Sequence, residues 1–230
     1  MFVSTARDSK VKAKHASTLA RWAYSDGTVF YLDMTEAELA SGRRAALGPM
    51  VYRMADGSDA LCEDCIGPSL YQKAQGTPVR VWGLLVKGKL NITVLAEEHC
   101  MNRWRYAWII KHRFPDWLDG CDKIVQDYEK CLRCAEPLAE MAALDISVLE
   151  EHPKYGQDLN AIENAWKLLR DRLYITMPTH LERREDFIPR LWNAVRWINA
   201  NQHKALLYLC NNQKERAAAV ALNGGGRTKW

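Results

Sequence analysis

Two apolar, β-rich runs, Val79 to Val86 and Leu90 to Leu95, flank the tripeptide Lys87-Gly88-Lys89. A turn this short between such runs predicts an antiparallel hairpin. The other β-rich runs stand apart from it: Thr28-Val29-Phe30-Tyr31-Leu32, Met50 to Arg53, Asp122 to Gln126, and Ile146 with Val148 and Leu149. Strands separated by helical segments pair in parallel, whereas a tight hairpin pairs only antiparallel. The chain is therefore expected to be an α/β domain with a mixed sheet covered by helices on both faces.

The helical segments follow from spacing and caps. Residues 6–22 read as a basic helix, and Asp26-Gly27 as the turn before the first strand. Asn102 to Arg113 carries Trp104, Trp108 and Ile109 at helical spacing, and Leu132 to Ala143 is rich in Ala, Leu and Glu. A further helix opens at Asp158, a good N-cap, with Leu159, Ile162, Trp166, Leu169 and Leu173 as its apolar stripe, and Met177-Pro178 ends it. Residues 181–200 form another, with Leu191, Trp192, Val195 and Ile198 inward, and 203–221 a last one before Gly224-Gly225-Gly226. In outline, residues 1–25 are a basic helical lead and 26–230 the core domain. Within the core, 56–78 is a loop or insertion and 181–230 holds C-terminal helices and a basic tail.

At 230 residues, with nine Trp and nine Tyr, the chain can bury a core without disulfide staples. Its seven cysteines and the absence of an apolar stretch behind the basic N-terminus predict a reducing, intracellular setting. The longest apolar runs, such as Ala217 to Leu222, are too short to span a bilayer, so no membrane association is expected. The net charge of +4 is uneven: residues 1–21 carry +4, residues 211–230 carry +3, and the middle about −3. Basic ends on a slightly acidic body suit either a polyanion partner or solvated tails.

Three acids stand out by position. Asp33 closes the run ending at Leu32, Asp127 closes the run ending at Gln126, and Glu163 lies in the first turns of the helix after Asp158. Side chains at strand ends of an open α/β sheet face the crevice where ligands bind. Asn160 and Glu163, three residues apart, share a helix face, while Ile162 and Trp166 belong to the buried stripe. Converging carboxylates raise one another's pKa unless a cation neutralises them. Hard oxygen donors suit Mg²⁺ or Mn²⁺, and two such ions roughly 4 Å apart can clamp a phosphodiester. Three ordinary surface acids are the other reading of the same spacing.

The surrounding sequence narrows this choice. Gly156 to Trp166, GQDLNAIENAW, resembles the SPDLNPIEN-x-W segment of mariner-type transposases of the DDE endonuclease superfamily. Val125-Gln126-Asp127 is similar to that family's QDN strand end, and Phe30-Tyr31-Leu32-Asp33 to its first strand. The 35 residues between Asp127 and Glu163 match its spacing, and Arg216 through Gly224 to Trp230 resembles its closing pattern. The likeness runs over roughly residues 6–230. It implies a ribonuclease H-like, mixed five-stranded sheet flanked by helices, with extra C-terminal helices. It also implies metal-dependent DNA cleavage and strand transfer. Asp33, Asp127 and Glu163 would be catalytic and would hold two Mg²⁺ or Mn²⁺ ions. The implied partners are transposon ends, target DNA and a second copy of the chain; the implied location is nuclear if the host is eukaryotic. Departures are Met34 after Asp33, Tyr128 after Asp127, and Ala161 in place of Pro. The likeness starts at the family's catalytic portion, without its helix-turn-helix pair, so weak DNA binding without sequence choice is expected. A catalytically inactive or repurposed DNA-binding or scaffold protein is the alternative.

Other residues admit two readings. Cys62/Cys65 and Cys131/Cys134 could form a four-cysteine zinc site or be separate thiols, and Cys100 and Cys210 read as core. His152 reads as a structural loop histidine, and Trp192 with Trp197 as helix packing. Arg103, Arg105, Lys111, His112 and Arg113 form a basic helix face that could follow a phosphate backbone or simply be solvated. Arg227 and Lys229 in the basic tail could likewise contact DNA.

Overall fold

The computed structural model describes residues 21–32, 77–96, 100–150, 152, 159–176, 178 and 182–223. Five strands are ordered β3-β2-β1-β4-β5: β1 (Trp22–Leu32), β2 (Thr77–Val86), β3 (Lys89–Val94), β4 (Lys123–Val125) and β5 (Ser147–Val148). The first three pair antiparallel, while β4 runs parallel to β1 and β5 parallel to β4. This is the mixed sheet expected, with the hairpin where Lys87 (φ +45°) and Gly88 (φ +78°) supply the left-handed pair a two-residue turn requires. A β-carbon on Gly88 would also stand 2.9 Å from Leu207 Cβ, so the turn is pressed against a helix.

Six helices cover the sheet: α1 (Arg103–Trp117), α2 (Ala135–Ala143), α3 (Ile162–Ile175), α4 (Arg184–Asn201), α5 (His203–Asn211) and α6 (Gln213–Leu222). Strand alternation assigns the faces. Trp22, Tyr24, Phe30 and Leu32 of β1 pack in one core with α3, α4 and α5. Ala23 of β1, with Trp82, Leu84 and Val86 of β2, packs in a second core with Tyr106, Ile109, Ile110 and Phe114 of α1. No helix among the described residues is long and apolar enough to cross a membrane.

Several expectations are corrected. Asp26-Gly27 is no turn: β1 runs straight through it, because residues on both sides keep the two-residue alternation and pair with β2 from Ala23 to Leu32. The boundary expected at 25/26 therefore falls inside β1, Trp22 is strand and Arg21 a turn residue; residues 6–20 of the expected helix lie outside the described residues. So do Met50 to Arg53 and all of 56–78 except Thr77 and Pro78, which open β2. The helix after Asp127 begins as a 3₁₀ turn, Lys130–Arg133, before α2. The segment 203–221 is two helices meeting at Asn212. α1 turns Tyr106, Ile109, Ile110 and Phe114 inward and leaves Trp104 and Trp108 exposed, and Trp192 is also partly exposed. Cys100 is exposed, whereas Cys210 is buried.

α3 packs its expected stripe: Ile162, Trp166, Leu169 and Leu173 are all buried. Gly83 makes the close approach possible. A β-carbon there would lie 2.4 Å from Trp166 Cη2 and 3.2 Å from Ile162 Cδ1. Gly83→Ala must push Trp166, and with it the first turns of α3, off the sheet. The expected result is a loss of about 1–3 kcal/mol in urea unfolding, with a wild-type midpoint contradicting this packing.

Candidate functional site

Asp26 sits in the middle of β1, opposite Gly83 of β2. In the parallel pairing with β4, Tyr24 stands beside Val125. Two residues further along the backbone come Asp26, still within β1, and Asp127, just past the end of β4, beside a pair of strands spaced about 4.8 Å apart. By alternation both side chains point to the face covered by α3, as Tyr24 and Val125 do. Glu163 is the second residue of α3, whose N-terminal end is held down on this part of the sheet by Trp166 against Gly83. All three acids are half-buried, open to solvent on one side.

Their electrostatics show the convergence. The Asp26 carboxyl is pushed well above the ordinary range by burial, then by the charges of Glu163 and Asp127. Glu163 is raised by burial and by Asp127, and lowered by a hydrogen bond from Asp26 and by the Arg170 guanidinium. Both carboxyls of the pair therefore resist ionising together. Asp127 is raised by burial and Glu129, while a hydrogen bond from Asn160 favours its ionised form. Three carboxyls that resist simultaneous ionisation are a set that a divalent cation would stabilise. Among the described residues no three carboxylate, imidazole or thiolate groups stand as a ready-made single-ion cage. An open trio still suits Mg²⁺ or Mn²⁺, which keep several waters and need few carboxylates.

The surrounding side chains fix this geometry. Asn160 donates from Nδ2 to the Ser25 carbonyl (3.4 Å), the residue before Asp26, and its amide also reaches Asp127, so one side chain spans β1 and β4. This diversion accounts for the late start of α3: its N-cap position is Ala161, with no side-chain cap, and Asp158 lies outside the described residues. Beneath, Trp82 Nε1 donates to Ser25 Oγ (3.0 Å), and the Tyr106 hydroxyl donates to Gln126 Oε1. Arg170, two turns along α3 from Glu163, donates to Thr28 Oγ1 and lies over the Phe30 ring. The closing arginine of the sequence pattern also has a place. Arg216 is fully buried and donates to Asn212 Oδ1 and to Asn164 Oδ1, both 2.7 Å, while Gln213 donates to the Leu159 carbonyl. α6 therefore grips the segment that carries Glu163.

Of the expected site residues, Asp127 and Glu163 are brought together, and Asp33 lies outside the described residues. Sequence reasoning missed Asp26, because Asp-Gly is a turn signal; the missed clue was the apolar Trp22-Ala23-Tyr24 on its N-terminal side. Arg103 and Lys111 pair with Glu136 (3.4 Å) and Glu140 (3.8 Å) of α2, and Arg105 and Arg113 remain on the exposed side of α1. Arg227 and Lys229 lie outside the described residues. His152 is buried, and burial with the nearby Arg133 lowers its pKa to about 4, so it is neutral near pH 7. Cys131 and Cys134 are half-buried free thiols, and Cys62 and Cys65 lie outside the described residues.

No family model and no curated protein sequence matches the chain. Solved structures do. The crystal structure of the catalytic domain of Mos1 mariner transposase is similar over 99% of this chain and 94% of that one, with a TM-score of 0.61 and 10% identity. The Mos1 catalytic domain with Raltegravir and Mg is similar at a TM-score of 0.61 and 11% identity, over 99% and 95%. A pre-cleavage Mos1 transpososome gives a TM-score of 0.63 and 12% identity, over 99% of this chain and 63% of that one. The fold is that of a ribonuclease H-like transposase catalytic domain.

Proposed function

We propose that this chain is a metal-dependent DNA endonuclease and strand transferase of the transposase type, with Asp26, Asp127 and Glu163 as its reactive centre. One observation carries the reading. A mid-strand acid of β1, the acid just past β4 and a first-turn acid of α3 converge closely enough on one face of the sheet to hinder one another's ionisation. The Mos1 catalytic domain, which has this fold, is known in structures with Mg and with Mn. In this reading Asp26 takes the place that the sequence pattern assigns to Asp33. Leu32, directly before Asp33, stands six residues beyond Asp26 on an extended strand, about 20 Å away.

Divalent ions held by these carboxylates would supply a Lewis-acidic clamp on the scissile phosphodiester and lower the pKa of an attacking water. The chain's own residues do the rest. Asp26 in β1 and Asp127 just past the end of β4 present oxygens to one ligand space, and Glu163 closes it from the helix. Asn160 orients Asp127 and offsets part of the rise in its pKa. Arg170 sets positive charge behind Glu163 and offsets part of the rise there. Arg103, Arg105, Lys111 and Arg113, with Arg227 and Lys229, are the proposed contacts to the DNA backbone. Transposon ends and target DNA are the proposed substrates, handled by two copies of the chain; the paired-end and strand-transfer complexes of Mos1 support DNA as the partner.

The second reading, a repurposed domain without cleavage activity, draws on Tyr128, an exposed aromatic directly after Asp127 where the family pattern has Asn. Supercoiled-plasmid nicking with Mn²⁺ separates the two. The native chain should open the circle and Asp127→Ala should not. Equal nicking by both would remove the catalytic assignment, and no nicking by either favours the repurposed domain.

A further inference from the structure

The end of β3 and the first turns of α1 leave a groove of about 490 Å³, bordered by Thr93, Leu95, Trp104, Arg105, Trp108 and Arg113. That size lies within the ~300–1,000 Å³ of small-ligand sites. Trp104 is 62% exposed and Trp108 48%, one turn apart on the same helix face. Paired indoles left in water mark a contact surface rather than packing. The charges beside them are divided. Arg103 and Lys111 are answered by Glu136 and Glu140 of α2, whereas among the described residues no carboxylate pairs with Arg105 or Arg113. Arg105 is held in place by a hydrogen bond from Nη1 to the Cys100 carbonyl. Arg113 lies over the Trp108 ring, 5.5 Å from its centroid.

An occupant of this groove must bring negative charge to the two guanidinium groups and flat rings to the two indoles. Nucleotides in an unpaired strand bring both, at successive positions along one backbone. In a duplex the bases stack on one another and only phosphates remain free. An acidic peptide satisfies the charges and leaves the indole faces unused. Thr93 pairs with Trp82, whose side chain packs against α1, so the groove lies on the α1 face beside the edge strand β3, the opposite face of the sheet from the acids.

We propose that this groove binds an unpaired DNA strand, with bases stacked on Trp104 and Trp108 and phosphates paired to Arg105 and Arg113. The proposal rests on the DNA-cleaving reading above, since DNA cleavage is what would supply such a strand. The test is binding of a fluorescein-labelled dT ten-mer by anisotropy, with 2-aminopurine emission read in the same sequence, in EDTA so that nothing is cleaved. Both indoles are exposed, so alanine at these positions leaves the fold intact, which circular dichroism verifies. Trp104→Ala/Trp108→Ala should bind about tenfold or more weakly and lose 2-aminopurine quenching, and the double Phe variant should retain most of both. Arg105→Gln/Arg113→Gln should flatten the salt dependence by about 1.4 log units per log unit of salt. Equal affinity of the native and double-alanine proteins overturns the proposal, as does tighter binding of a duplex or an acidic peptide. Plasmid nicking by the same preparations separates the two failures: nicking without strand binding removes only the groove, and strand binding without nicking removes only the catalytic centre.

Discussion

Asp26→Asn is expected to abolish manganese-dependent plasmid nicking, by about 10³-fold or more, and Asp33→Asn to leave it intact. The asparagine is isosteric, so the effect isolates charge. In β1 the Asp26 side chain faces α3 and interacts with Glu163, and replacing it by an amide leaves one fewer carboxylate donor for a divalent ion. β1 remains paired with β2 and β4 in either case, because its ladder is backbone. Thermal unfolding of the two variants therefore differs little, and the separation appears in rate alone. Nicking lost in Asp33→Asn and kept in Asp26→Asn would return the first acid to the end of the strand.

Arg216→Ala has the largest effect on stability. The guanidinium is fully buried and donates to the oxygens of Asn164 and Asn212. Removing it leaves a buried acceptor on Asn212 and a half-buried one on Asn164 without this donor, the buried one at about 1–3 kcal/mol, and a cavity between α3 and α6. A loss of about 3 kcal/mol or more is expected, a large share of the ~5–15 kcal/mol of a typical domain. Lysine reaches one of the two oxygens and lacks the planar fork, so Arg216→Lys should fall between. Urea unfolding checks both, and a native midpoint for Arg216→Ala would contradict the clamp. Because Asn164 follows Glu163, the same contact places the helix that carries Glu163; the tail of the sequence pattern is thus structural support for its middle.

What the chain reveals before folding depends on where its information is local. The hairpin is legible because Lys87-Gly88 and the alternating runs beside it specify one another within a few residues. The stripe of α3 is legible because a buried helix face repeats every 3.6 residues. Asp127 and Glu163 are legible because each adjoins an apolar element that announces its own end. Asp26 is not, since Asp-Gly has a strong turn preference in isolation and only pairing with Gly83 and β4 makes it strand. The same limit applies to Trp104 and Trp108. Their spacing is helical, and nothing nearby in sequence says that Tyr106 and Ile110 take the inner face. The single helix read over 203–221 fails for a related reason: its break at Asn212 serves the buried Arg216.

The most direct measurement is Mn²⁺ binding followed by electron paramagnetic resonance in the native chain and in Asp26→Asn, at pH 6 and pH 8. All three carboxyl pKa values are raised, so protons compete with metal on the acid side and affinity should increase with pH. The account predicts tight binding at pH 8, weaker binding at pH 6, and loss of that binding in Asp26→Asn at both. Binding that ignores both the substitution and the pH would contradict it.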